Sequence, residues 1–77
     1  MKESIIEILE DLIPDFDENE QSLIDGRVLS SLGVLLLIVA LNEEFDISIP
    51  AFEIKPDNLN SVDRIAALVT RLQEDEL

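Results

Sequence analysis

From Leu32 to Leu41 every residue except Gly33 is apolar, in a chain whose other segments are rich in acids. The unbroken part, Val34 to Leu41, falls far short of the roughly 20 residues that span a bilayer. The segment therefore reads as a helix of a soluble domain, running from about Ser31 to Phe45. A Ser at or just before its first turn can cap the free amides there. Both faces of this helix are apolar, so one serves the core and the other needs a separate explanation. Asn42-Glu43-Glu44 marks the return to polarity, and Ile47, Ile49 and Phe52 follow around Pro50.

The flanking segments supply what such a helix packs against. Between about Lys2 and Ile13, the residues Ile5, Ile6, Leu9, Leu12 and Ile13 share one helical face, while Glu3, Glu7 and Glu10 point elsewhere. Pro14 ends that helix, because the residue before a proline is pushed out of the α region. Asp15 to Ser30 is a long acidic connection with its own anchors, Phe16, Leu23, Ile24, Val28 and Leu29, and Asp25-Gly26 as a turn. A short helix or turn is expected near Glu53 to Asn58. The last helix is capped by Asn60 or Ser61 and buries Val62, Ile65, Ala66, Val69 and Leu72, with Glu74-Asp75-Glu76 as a frayed tail. The expected fold is all-α: one domain over residues 1–77, a small antiparallel bundle of three main helices plus a short extra one, with a long loop between helices 1 and 2.

Composition then removes function classes. Five Lys and Arg stand against 18 Asp and Glu, a net charge of −13, which argues against nucleic acid as a partner. A hydrophobic content of 47% separates the chain from acidic disordered segments, because it suffices to fill a core. With no Cys and no His, neither a thiolate zinc site nor a Ser-His-Asp or Cys-His catalytic arrangement can be assembled. Independent catalysis is not expected. The first residues lack the charged-then-apolar pattern of a signal peptide, and a cytoplasmic location is expected.

The acidic loop partly matches the calcium-binding EF-hand pattern. Asp15, Asp17 and Asn19 suit its first, third and fifth places, but Glu20 stands where the sharp turn needs Gly. Gly26 stands where a bidentate Glu is required, so the motif fails at both diagnostic places and no metal site is assigned. Paired carboxylates are abundant, and nothing singles out one pair for acid/base work.

The step Ser30-Ser31-Leu32, on its own, reads as a helix cap beside a loop serine. Its wider frame says more: Ser31-Leu32 opens an apolar helix, Glu43-Glu44-Phe45 closes it, and Asp46-Ile47-Ser48-Ile49-Pro50 follows. From Ser31 to Pro50 the chain resembles the acyl carrier protein family without a gap, and more loosely over its whole length. Asp25-Gly26 and Gly33 look most like the D-alanyl carrier branch of that family.

The resemblance implies that Ser31 is the attachment point of 4′-phosphopantetheine, supplied from coenzyme A. An acyl or aminoacyl cargo would ride on its thiol as a thioester. It also implies partners: a phosphopantetheinyl transferase, an acyl- or aminoacyl-activating ligase, and acyl-transferring or synthase enzymes. The protein itself would be a non-catalytic carrier, expected to be a monomer. The chain departs from the family in two respects. Ser30 replaces the usual Asp before the modified Ser, and Gly33, Leu36 and Asn42 replace acids of the second helix. Leu32, Leu36 and Val39 are thus expected to form an exposed apolar patch and, with Glu43 and Ile49, the partner-binding set. The competing reading is an unmodified acidic adaptor with the same fold, binding a partner through its apolar second helix.

Overall fold

A computed structural model describes residues 1–75, and every structural statement below concerns those residues. Four α-helices, α1 (Lys2–Leu12), α2 (Ser31–Phe45), α3 (Pro56–Leu59) and α4 (Val62–Asp75), are joined by loops and one 3₁₀ turn at Ala51–Glu53. Among the described residues there is no strand. α1 packs on α2 and α4, α2 also meets α4, and α3 lies against α4. No helix is long and apolar enough to cross a membrane.

The apolar spacing of α1 does what periodicity demands. Ile5 and Leu9 are fully buried and Ile13, in extended conformation just past the helix, completes the stripe. Its amide still bonds the Leu9 carbonyl, at 2.8 Å, before Pro14 turns the chain away. Ile6 and Leu12 lie at the edge of the core and are only half-buried. In α4 the buried set is Val62, Ile65, Ala66, Leu68 and Val69. Leu68 joins the expected stripe, while Leu72 sits at its margin. Ser61 is the cap: its hydroxyl accepts from the Arg64 amide at 3.2 Å. Helix α4 continues through Asp75, so the expected fraying does not reach Glu74 and Asp75, and Glu76 lies outside the described residues.

The long connection is ordered by a residue far away in sequence. Asn60 Oδ1 accepts from the amides of Ile24 (2.9 Å) and Asp25 (3.1 Å), its Nδ2 donates to Asp25 Oδ2 (2.9 Å), and its carbonyl accepts from Leu23 (3.0 Å). Leu23 and Leu29 are buried anchors, Phe16 and Ile24 partial ones. Val28, expected to be an anchor, is instead exposed, because the chain reverses at Arg27 (φ 57°) and turns that side chain out. Gly26 makes the reversal possible: a Cβ there would lie 2.6 Å from the Ser22 carbonyl oxygen, which already accepts from the Gly26 amide.

After α2, Asp46 adopts the left-handed conformation (φ 52°) and its amide bonds the Asn42 carbonyl. Asn42 Oδ1 then accepts from the Ile49 amide at 3.0 Å, hooking the link back onto the helix end. Ile47 and Ile49 are thereby drawn into the core, at 5% and 8% exposure. Ile49 therefore presents no side chain for a partner, and its place in the expected docking set is corrected to a core role. Opposite, Glu53 is nearly buried yet paired: Arg71 of α4 donates to both its carboxylate oxygens, and Asn58 Nδ2 to Oε1 at 3.1 Å. The guanidinium holds the Glu53 carboxyl below its ordinary range, against the opposing pull of burial.

Candidate functional site at the start of the second helix

Buried Leu29 brings the chain to the first turn of α2, where two adjacent serines take different parts. Ser30 is extended (φ −74°, ψ 172°) and is the N-cap: its Oγ accepts from the Gly33 amide at 3.0 Å and its carbonyl from Val34 at 2.9 Å. Ser31 is the first helical residue and is exposed. With the cap supplied by its neighbour, the Ser31 hydroxyl has no hydrogen-bond partner among the described residues. The Ser31 and Leu32 amides likewise lack a protein acceptor there.

The electrostatics of this turn favour an anion. No acidic residue occupies the first turn of α2, so the positive end of the 15-residue helix dipole is uncompensated. Gly33 keeps the turn tight, since a Cβ at that position would lie 3.0 Å from Leu29 Cδ2 and 3.4 Å from Ser30 Oγ. Beside the two serines opens a depression of about 490 Å³ lined by Ile24, Arg27, Leu29, Ser30, Ser31 and Val34. A prosthetic group carried as a phosphodiester fits this setting: the hydroxyl is exposed and free, and the flanking turn offers amides and no acid.

Down the same helix, Leu37, Ile38 and Leu41 face the core. The opposite side presents Leu32, Leu35, Leu36 and Val39 at 65, 60, 47 and 53% exposure. Leu32, Leu36 and Val39 thus lie on the surface, the exposure that the family resemblance implied. Leu35 belongs with them, and its signal was its position three residues after Leu32 and four before Val39. Glu43 and Glu44 are exposed in the last turn of this helix. The acids of the first loop are partly engaged in local turns, Asp17 Oδ1 accepting from Asn19 at 2.9 Å and Glu20 Oε2 from Ser22 at 3.0 Å.

No family model matches the chain. Individual relatives do. It is 37% identical over 75 residues to the D-alanyl carrier protein of Streptococcus sanguinis, covering 95% of each chain. The D-alanyl carrier proteins of Streptococcus gordonii and Streptococcus thermophilus are each 36% identical over the same length, again with 95% of both chains covered.

Proposed function

Because the chain belongs to the D-alanyl carrier protein family and shares its carrier role, we propose that Ser31 is the tether for a 4′-phosphopantetheine arm. The observation that carries this reading is the free, exposed Ser31 hydroxyl at the acid-free start of α2. When bound, the arm supplies the thiol on which a D-alanyl or other acyl cargo is held as a thioester. The chain's own residues do the rest. Ser30 fixes the helix end, so that the Ser31 Oγ is presented outward. The first-turn amides and dipole favour the phosphodiester oxygens. The sequence has no His, and no described carboxylate hydrogen-bonds the Ser31 hydroxyl, so a phosphopantetheinyl transferase would bring both the base and the activated donor.

The exposed face of Leu32, Leu35, Leu36 and Val39, ending in Glu43, is the surface on which partners dock: the transferase, the ligase that loads the cargo, and the enzyme that removes it. Burial of leucines in such a patch supplies affinity, and the surrounding acids steer the approach of basic partners.

The test is intact mass after incubation with coenzyme A and a phosphopantetheinyl transferase, using both the host's own enzyme and a broad-specificity one. One phosphopantetheinyl group should add to the wild type and to Ser30→Ala, and none to Ser31→Ala. Ser30 in place of Asp favours one competing reading, the unmodified adaptor. Absence of any mass gain with either transferase would overturn our reading and favour the adaptor.

A further inference from the structure

The depression beside Ser31 is lined by one cationic residue, Arg27. Three of the other four cations in the chain are engaged. Lys2 pairs with Asp63 at 2.7 Å, Arg71 with Glu53, and the Arg64 guanidinium donates to the Asp57 carbonyl at 2.9 Å. The fourth, Lys55, sits close enough to Glu53 to lower its carboxyl and does not line the depression. Among the described residues Arg27 has no carboxylate within ion-pair distance, in a chain with 18 acids. Its position is set by the backbone around it. The Gly26 amide bonds the Ser22 carbonyl at 2.7 Å, the Arg27 amide bonds Ile24 at 3.0 Å, and the Leu29 amide bonds Leu23 at 3.0 Å. This closed loop holds Arg27 over the same hollow that Ser30 and Ser31 line.

Resting on the reading of Ser31 as the tether, we propose that Arg27 is a positioning residue that pairs with the phosphodiester joining the arm to Ser31. A diester anion placed on a chain of net charge −13 is repelled by the body of the protein. A guanidinium offers it a planar fork of donors suited to phosphate oxygens. The apolar lining of the hollow, Ile24, Leu29 and Val34, adjoins the fork and gives the first methylenes of the arm a surface to lie on. The first segment of the arm is thereby biased toward the loop side of α2, leaving the leucine face of the helix open to partners.

The full chain, labelled with ¹⁵N, is compared before and after loading by a transferase, with intact mass reporting conversion. In loaded wild type the Arg27 Nε–Hε resonance should shift and sharpen, and the phosphorus signal of the diester should broaden relative to loaded Arg27→Gln. The change in Tm on loading should be less favourable in Arg27→Gln than in wild type by about 2–4 °C at low salt, with Arg27→Lys between them. That difference should vanish near 1 M salt, as screening requires. Complete loading with an unmoved Arg27 resonance and equal Tm changes in wild type and Arg27→Gln would overturn this inference and leave the Ser31 tether standing. Absence of any mass gain would remove the tether and this inference together. The wild-type resonance needs no variant, so misfolding of a substituted chain would not rescue the proposal.

Discussion

Replacing Asn60 by Ala isolates the device that holds the loop leading to Ser31. The substitution removes one acceptor shared by the Ile24 and Asp25 amides and one donor to the Asp25 carboxylate, at 2.9, 3.1 and 2.9 Å. Asn60 is only 9% exposed, so water replaces these partners incompletely. At about 0.5–1.5 kcal/mol net for each hydrogen bond, the expected loss is about 2–3 kcal/mol. For a domain of this size that lowers Tm by about 10–20 °C. Urea unfolding at constant m-value measures the loss. Hydrogen exchange locates it: the Ile24 and Asp25 amides should lose protection, whereas Leu23, bonded to the Asn60 carbonyl at 3.0 Å, should keep its own. Asn60→Asp keeps the acceptor but sets a carboxylate against Asp25, so it too should lose stability, and adding Asp25→Asn should recover part of it. A loss below about 0.5 kcal/mol in Asn60→Ala, or unchanged protection at residues 24 and 25, would refute this account of the loop.

Four further outcomes follow from the same contacts. Ser30→Ala should cost about 1 kcal/mol in urea unfolding, while Ser30→Asp stays near wild type, because it caps the Gly33 amide equally well and suits the helix dipole. The Glu53 carboxyl is lowered by Arg71 from its ordinary 4.5, so the pair's contribution is complete above that value and lost as pH falls through the lower folded one. The Tm deficit of Glu53→Gln should therefore be full at neutral pH and close on acidification, and a deficit independent of pH would contradict the pairing. Added salt or millimolar divalent cations should raise Tm, because self-repulsion at −13 opposes folding, and a melting curve indifferent to both would show the repulsion already offset. On the proposed docking reading, Leu36→Glu should weaken binding to a ligase that loads the cargo, measured by titration calorimetry, and unchanged affinity together with its abolition by high salt would show that charge rather than the leucine face drives docking.

The features legible in the sequence are those set by local chemistry. The apolar run with a Ser before it and Asn-Glu-Glu-Phe after it marks α2 from Ser31 to Phe45, the bounds found. Pro14 ends α1, and the spacing of Val62, Ile65, Ala66 and Val69 marks α4. What escaped the reading depends on partners distant in sequence. Asn60 is one of two equally good cap candidates until the fold gives the cap to Ser61 and sends the Asn60 side chain to residues 24 and 25, across the chain. Ile49 looks like a surface residue near a proline until Asn42 hooks its amide and pulls it inward. Glu53 gives no hint of burial, because its partner Arg71 lies 18 residues further on, in another helix. Leu35 was concealed by its own neighbours: in a run apolar on every side, hydrophobicity alone does not say which leucine faces out.

The pair Ser30-Ser31 separates two demands that the family usually meets with one Asp. The residue before Ser31 accepts a hydrogen bond from the third helical amide, and a hydroxyl does so as well as a carboxylate, here at 3.0 Å from Gly33. On the proposed reading, a carboxylate there would also place negative charge beside the Ser31 hydroxyl, where a transferase would bring its metal, and a hydroxyl cannot do that. Ser30 keeps the first property and gives up the second. The helix end stays fixed while its first turn is left free of acids, with Arg27 alongside as the only cation of the hollow. On the proposed tether reading, the local field at Ser31 is thus more favourable to a phosphodiester than a carboxylate at position 30 would allow, and a transferase acting there would itself have to supply what holds its metal in place.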